Sequence, residues 1–176
     1  LTLPLGRSDS AIIVFNKDTD GEYYDPVPFD GGAASKKIDI PWNVQFQHYD
    51  GRIEFDEFEK LQDLKDIPKY THFAGTVKYK NSFFVDDVNG FHHLNLGQVH
   101  GISTVYINGE EVGVQWYGNR VYGIGDFITQ GENTVEIWVV TEMANYLKSL
   151  KNNDVVQRWT KKPLRSLGLE GPVTIY

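Results

Sequence analysis

The chain of 176 residues carries 17 Lys plus Arg against 24 Asp plus Glu, a net charge of −7, and no cysteine. The length fits one domain, a composition of 40% hydrophobic and 23% charged residues excludes a disordered chain, and the acidic balance without a basic block excludes a nucleic-acid backbone as partner. The absence of cysteine removes disulfides, thiol nucleophiles and thiolate metal sites, and the longest apolar run, Ala11–Phe15, is far shorter than the ~18 residues of a membrane helix.

Aromatic residues are the informative excess: four Trp, ten Tyr and ten Phe beside a single Met lean towards β structure. The first residue is Leu1, with no basic or apolar leader pattern behind it, which reads as a processed or excised piece. In chain order, β-branched and aromatic enrichment between turn signals predicts strands at Ala11–Phe15, Lys37–Tyr49, Gly75–Val85, Phe91–Leu96, Ser103–Ile107, Glu111–Trp116, Arg120–Ile124, Asn133–Val140 and Pro172–Tyr176. Residues 16–36 read as a long polar loop. Phe58, Leu61 and Leu64 at helical spacing predict a short amphipathic helix within Asp56–Leu64, and Met143, Tyr146, Leu147 and Leu150 predict another at Met143–Leu150.

Alternation places Val77 and Tyr79 inward and Lys78 and Lys80 outward. In the Asn133–Val140 strand both faces are apolar enough to suggest a central strand covered on both sides. Asn108-Gly109 between alternating apolar residues is the chemistry of a type I′ hairpin, since both central residues need φ > 0. A second turn falls at Thr129-Gln-Gly-Glu-Asn133. Many short strands, few helices and no βαβ rhythm predict an all-β antiparallel sandwich with one or two short helices. Residues 1–36 would be a lead-in strand and loop packed on a sandwich of residues 37–176.

Three stretches resemble the sugar-binding jelly roll of family 2 glycoside hydrolases, a galactose-binding-like fold. They are His72-Phe-Ala-Gly-Thr-Val-Lys-Tyr-Lys-Asn-Ser-Phe-Phe84, Leu94-Asn-Leu-Gly through Tyr106-Ile-Asn-Gly-Glu-Glu-Val-Gly113, and Gly125-Asp-Phe-Ile-Thr-Gln-Gly-Glu-Asn-Thr-Val-Glu-Ile137. Ile40-Pro-Trp-Asn-Val-Gln-Phe46, Phe58-Glu-Lys-Leu61 and the close Leu167-Gly-Leu-Glu-Gly-Pro-Val-Thr-Ile175 resemble the last domain of the α-L-rhamnosidase-like enzymes of glycoside hydrolase family 106. One departure falls after the hairpin. The family's rigid "W-x-P-P-Y-R" stands here as Trp116-Tyr-Gly-Asn-Arg120, without its prolines.

The resemblance implies a non-catalytic accessory module whose partner is the catalytic barrel of the same polypeptide, the catalytic carboxylates lying in that barrel. It also implies a periplasmic or extracellular setting. A free-standing carbohydrate-binding module and a protein–protein adhesion sandwich are the alternatives. Nothing in the chain specifies a pair of catalytic acids, and no nucleophile elbow or phosphate loop occurs. The candidate contact residues are Trp116, Tyr117, Arg120 and Tyr122, which flank a Gly- and Asn-containing loop, together with Trp159. Rings and a guanidinium suit a sugar face or a neighbouring domain, and equally a core. Trp42 and Trp138, within strands, read as core. No cofactor is implied beyond a weak structural calcium candidate at Asp18, Asp20 and Asp25, in Asn16-Lys-Asp-Thr-Asp-Gly21 and its continuation. Its twelfth position is Val27 rather than the bidentate Glu of an EF-hand. His92 and His93, adjacent on a strand, point to opposite faces, and His100 reads as a structural hydrogen-bonding group.

Overall fold

The computed structural model describes residues 35–38, 41–150, 153–154, 156 and 161–176. The predicted Ala11–Phe15 strand and nearly all of the polar loop therefore lie outside the described residues, as do Asp18, Asp20, Asp25 and Trp159.

The sandwich is built from β1 (Lys36–Lys37), β2 (Trp42–His48), β3 (Ile53–Phe58), β4 (Gly75–Val85), β5 (His93–Asn95), β6 (Gln98–His100), β7 (Ile102–Ile107), β8 (Glu110–Gln115), β9 (Val121–Gly123), β10 (Gly131–Val140), β11 (Gly168–Gly171) and β12 (Thr174–Ile175), with one helix, α1 (Ala144–Ser149). Six strands form one sheet in the order β3-β2-β4-β10-β7-β8. The order β1-β12-β5-β9 forms a second sheet, and β11 pairs with β6. Every pairing is antiparallel. The all-β expectation holds.

The spine is β4 against β10, in register from Gly131–Val85 to Val140–Thr76. Alternation fixes what that register buries. Val77, Tyr79, Val135, Ile137 and Val139 are all fully buried, and Val44 and Phe46 of β2 and Val105 and Ile107 of β7 join them. Leu94, Leu96, Leu169 and Ile175 complete the core from the smaller sheets. Beside β2, Phe46 stacks on Tyr70 with centroids 3.8 Å apart and meets Phe73 edge-on at 5.2 Å.

Two positions show why the backbone needs glycine. Asn108 and Gly109 have φ of 52° and 85°, the I′ geometry expected of the hairpin. Asn108 also ties the turn to β10: its Oδ1 accepts from Thr134 N at 3.0 Å and its Nδ2 donates to Asn133 Oδ1 at 2.8 Å. At Gly168 (φ 83°) a Cβ would sit 2.6 Å from the Tyr79 hydroxyl, so the backbone of β11 can approach the core only without a side chain.

Three expectations need correction. Asp56–Leu64 is not a helix. Ile53–Phe58 is an edge strand paired to β2, and only Leu64–Asp66 winds into a 3-10 turn, capped by Asp63. The reading failed because the strand places Glu54 and Asp56 on the side facing the core, opposite Phe46 and Val44. The Lys69 ammonium (3.2 Å from Glu54) and the Tyr70 hydroxyl (2.8 Å from Asp56) supply the partners that make those positions tolerable. Second, β10 is central but covered on one side only: Glu136 and Trp138 are half-buried and Val140 is exposed. Third, Trp138 is therefore not core, whereas Trp42 is, at 1% exposure. The Trp138 ring lies on the outer face under Lys78, whose Nζ is 3.7 Å from its centroid. The helix at 143–150 is present as α1.

Gly109 has open space around its missing Cβ, so Gly109→Val should cost only backbone strain, about 1–3 kcal/mol. Urea midpoints of the variant and parent measure this; coincident midpoints contradict the strained turn.

Candidate functional site

Strand β8 is the outermost strand of the six-stranded sheet and β9 the outermost of the four-stranded sheet. Residues 116–120 must therefore cross the open edge of the sandwich. The chain leaves the ladder after the Ser103–Gln115 pair, and the side chains beyond it lose the neighbours a strand provides. Trp116 is 70% exposed and Tyr117 48%, their rings 4.7 Å apart and inclined by 60°. Val114, Gln115, Trp116, Tyr117, Gly118 and Asn119 line a shallow depression of about 310 Å³.

The structure divides the sequence-derived cluster. Trp116 and Tyr117 stand at the rim, whereas Arg120 and Tyr122 turn inward, with 6% and 3% of their surface exposed. The Tyr122 hydroxyl donates to Ser103 O at 2.9 Å and also pairs with Ser103 Oγ, and burial pushes its pKa up. Arg120 Nη1 donates to Gly118 O at 3.2 Å and Nη2 to Gly101 O at 3.1 Å, which straps the rim loop to the β6–β7 turn. Arg120 Nε has no partner among the described residues, and desolvation lowers the guanidinium pKa. Gln115, just before Trp116, donates from Nε2 to Val121 O, while its Oε1 also has no partner among the described residues. Sequence reasoning singled out Arg120 and missed Gln115. An alternating strand ending in Gln carries no signal for it.

A second polar cluster lies where β6 pairs with β11. Asp63, His100 and Glu170 place their donor atoms within 4.8 Å of one another, the one such group among the described residues with mixed carboxylate and imidazole donors. His100 Nε2 lies 3.0 Å from Glu170 Oε2, the structural hydrogen bond expected of it. Asp63 is more constrained. Its Oδ1 accepts from Lys65 N and Leu167 N, and Lys65 Nζ sits 2.7 Å from Oδ2 and 3.1 Å from Ser166 Oγ. An ammonium thus already occupies one of the Asp63 oxygens that a metal ion would need. The cluster joins positions 63, 100 and 170, which no sequence spacing could have linked.

A scan against family models finds none that matches this chain, and a search of curated proteins also finds no match. Solved structures do match. A rhamnosidase from Novosphingobium sp. PP1Y superposes with a TM-score of 0.70 at 27% identity, covering 86% of this chain and 16% of its own. A β-glucuronidase from Ruminococcus gnavus, in complex with an N1-substituted uronic isofagomine, superposes at 0.61 and 18% identity over 85% of this chain and 31% of its own. The same enzyme with a C6-substituted uronic isofagomine gives 0.55 at 19%, over 68% and 24%; these glucuronidase matches speak for the fold alone. The chain is a β-sandwich of the kind carried as one part of large glycoside hydrolases, and it spans less than a third of each of these chains. Among the described residues no helix is long and apolar enough to cross a membrane.

Burial would raise the Asp63 pKa, but Lys65, Ser166 and the two backbone amides outweigh it and hold the carboxyl at about 2. A pKa lowered on folding stabilises the fold above the unfolded value near 3.9, and that stability is lost as pH falls through the folded value. Between about pH 4 and pH 2 the chain should therefore lose roughly 2 kcal/mol through this group. Asp63→Asn should flatten that part of the stability profile, as measured by urea unfolding at successive pH values.

Proposed function

We propose that this chain is a non-catalytic accessory module of a multidomain glycoside hydrolase. It braces the catalytic domain of the same polypeptide, and its Trp116–Tyr117 rim contacts carbohydrate at the edge of the substrate path. The observation that carries the reading is the rim itself. Two adjacent rings are held out from the sandwich edge by a loop strapped from below by Arg120. Exposed Trp beside Tyr is a common anchor for sugars and for protein partners, because each ring offers a large apolar face at low entropic cost. The small share of each matched hydrolase that this fold occupies supports the accessory role, and a periplasmic or extracellular setting is part of the proposal.

Asp63 of the second cluster does not suit the part of a general acid. A glycosidase needs one carboxyl protonated as the bond breaks, whereas Asp63 is buried beside an ammonium that keeps it ionised.

The isolated chain should not turn over aryl glycosides; activity abolished by a single Asp or Glu substitution within it would overturn the reading. Trp116→Ala should change the folding stability of the chain by no more than about 0.5 kcal/mol, as at other exposed sites. It should nevertheless lower the activity or glycan affinity of the full-length hydrolase. Equal losses in stability and activity would make Trp116 a packing residue.

A further inference from the structure

We propose that the rim loop is a binding site for a carboxylate-bearing sugar, a uronate, with Trp116 as the ring platform and Arg120 as the group that receives the carboxylate. This rests on the reading of the rim as a carbohydrate contact and names the chemical class of sugar.

The first observation is an uncompensated charge. Arg120 is 94% buried, its two bonds go to neutral backbone carbonyls, and no ion pair forms with it among the described residues. A desolvated cation whose bonds go only to neutral acceptors is costly to leave so, and it attracts an anion. The second is its complement: Gln115 Oε1 is a buried acceptor with no donor, one residue before the exposed Trp116. A sugar acid carries both missing functions, a carboxylate for the guanidinium and hydroxyls for the amide oxygen. The third is the space. The depression of about 310 Å³ lined by residues 114–119 is at the small end of ligand sites, a size for a sugar unit rather than a protein element. One wall is the Trp116–Tyr117 pair, which suits the CH-rich face of a pyranose.

The route to Arg120 is through the Gly118 carbonyl, which one Nη now holds at 3.2 Å. A carboxylate can take its place, because a bond from a guanidinium to an ionised acceptor is shorter and stronger than one to a neutral carbonyl. Gly118 has a positive φ of 69°, a conformation that glycine adopts and leaves at little cost.

The test titrates the 176-residue chain with trigalacturonate and with its methyl ester, which keeps the rings and removes the charge, following Trp fluorescence and calorimetry. Saturable binding of the acid is expected, weaker by about tenfold or more for the ester. Arg120→Lys, which keeps a charge but loses the fork, should weaken the acid to a similar degree, and Trp116→Ala should lower affinity for both. Urea midpoints show whether the Arg120 variant folds; if it does not, the comparison of acid with ester on the unaltered chain decides. Equal binding of acid and ester overturns the assignment to Arg120 while leaving a sugar-contacting rim. Binding of neither overturns the uronate site, and the accessory role then stands or falls on the full-length Trp116→Ala measurement.

Discussion

The buried hydroxyl of Tyr79 is the point on which the sandwich closes. Tyr79 sits fully buried on the central strand β4, and its oxygen accepts the backbone N–H of Leu169 at 3.1 Å. A phenol at this depth needs a partner, and only a backbone that comes within hydrogen-bond distance can supply one. Gly168 makes that approach possible, because any Cβ there would collide with the same oxygen and with Leu64. Once β11 is held, Leu167 and Leu169 fall into the core on either side of the glycine. Leu167 N then reaches Asp63, and His100 comes opposite Gly168. The polar cluster at positions 63, 100 and 170 is thus a by-product of closing the sandwich. Its internal ammonium offsets the buried charge of Asp63.

The rim follows from the same closure. Two sheets with different strand orders leave a free edge where β8 and β9 end up in different layers. The connection between them is only five residues, of which the first four are exposed and Arg120 alone is buried. The loop is nevertheless fixed from beneath by Arg120 and by the Gln115–Val121 bond. A fixed loop with exposed rings is the pre-organised arrangement that binding favours, because the ordering cost falls on folding rather than on association.

Much of this was legible in the sequence wherever the local pattern and the tertiary demand agree. The Asn108-Gly109 turn, the strand Gly75–Val85 and the inward pair Val77 and Tyr79 all follow from residue type and alternation, and each is found where those rules put it. What escaped was non-local. β3 looked helical because its partners, Lys69 and Tyr70, come from beyond the strand and compensate acids that a pattern rule counts against it. β6 and β11 are short, β11 begins and ends with glycine, and the two pair with each other across about 70 residues. At the rim, residue type singled out the loop but not the direction of each side chain. Arg120 and Trp116 are four apart in a segment with no periodicity, so only the carbonyls at 101 and 118 could decide that the cation turns inward.

The outer face of the six-stranded sheet shows why the rim rather than the sheet is the better contact surface. The register lines up Phe55, Gln45, Lys78, Trp138, Thr104 and Val114 across six strands, so the apolar members are separated by polar ones. Trp138, the largest ring on that face, is already occupied: Lys78 covers it, Tyr106 packs at 4.7 Å, and its indole N–H points to Glu136. Glu136 is in turn bonded to Lys80 at 2.9 Å. A partner docking there would first have to break cation–π and ion-pair contacts that the face makes with itself. Trp116 and Tyr117 contact each other and are 70% and 48% exposed, and two buried polar atoms of this edge without a partner among the described residues, Arg120 Nε and Gln115 Oε1, belong to residues that flank their loop. The proposed binding at that edge exchanges one bond, from Arg120 to Gly118 O, and breaks no ion pair.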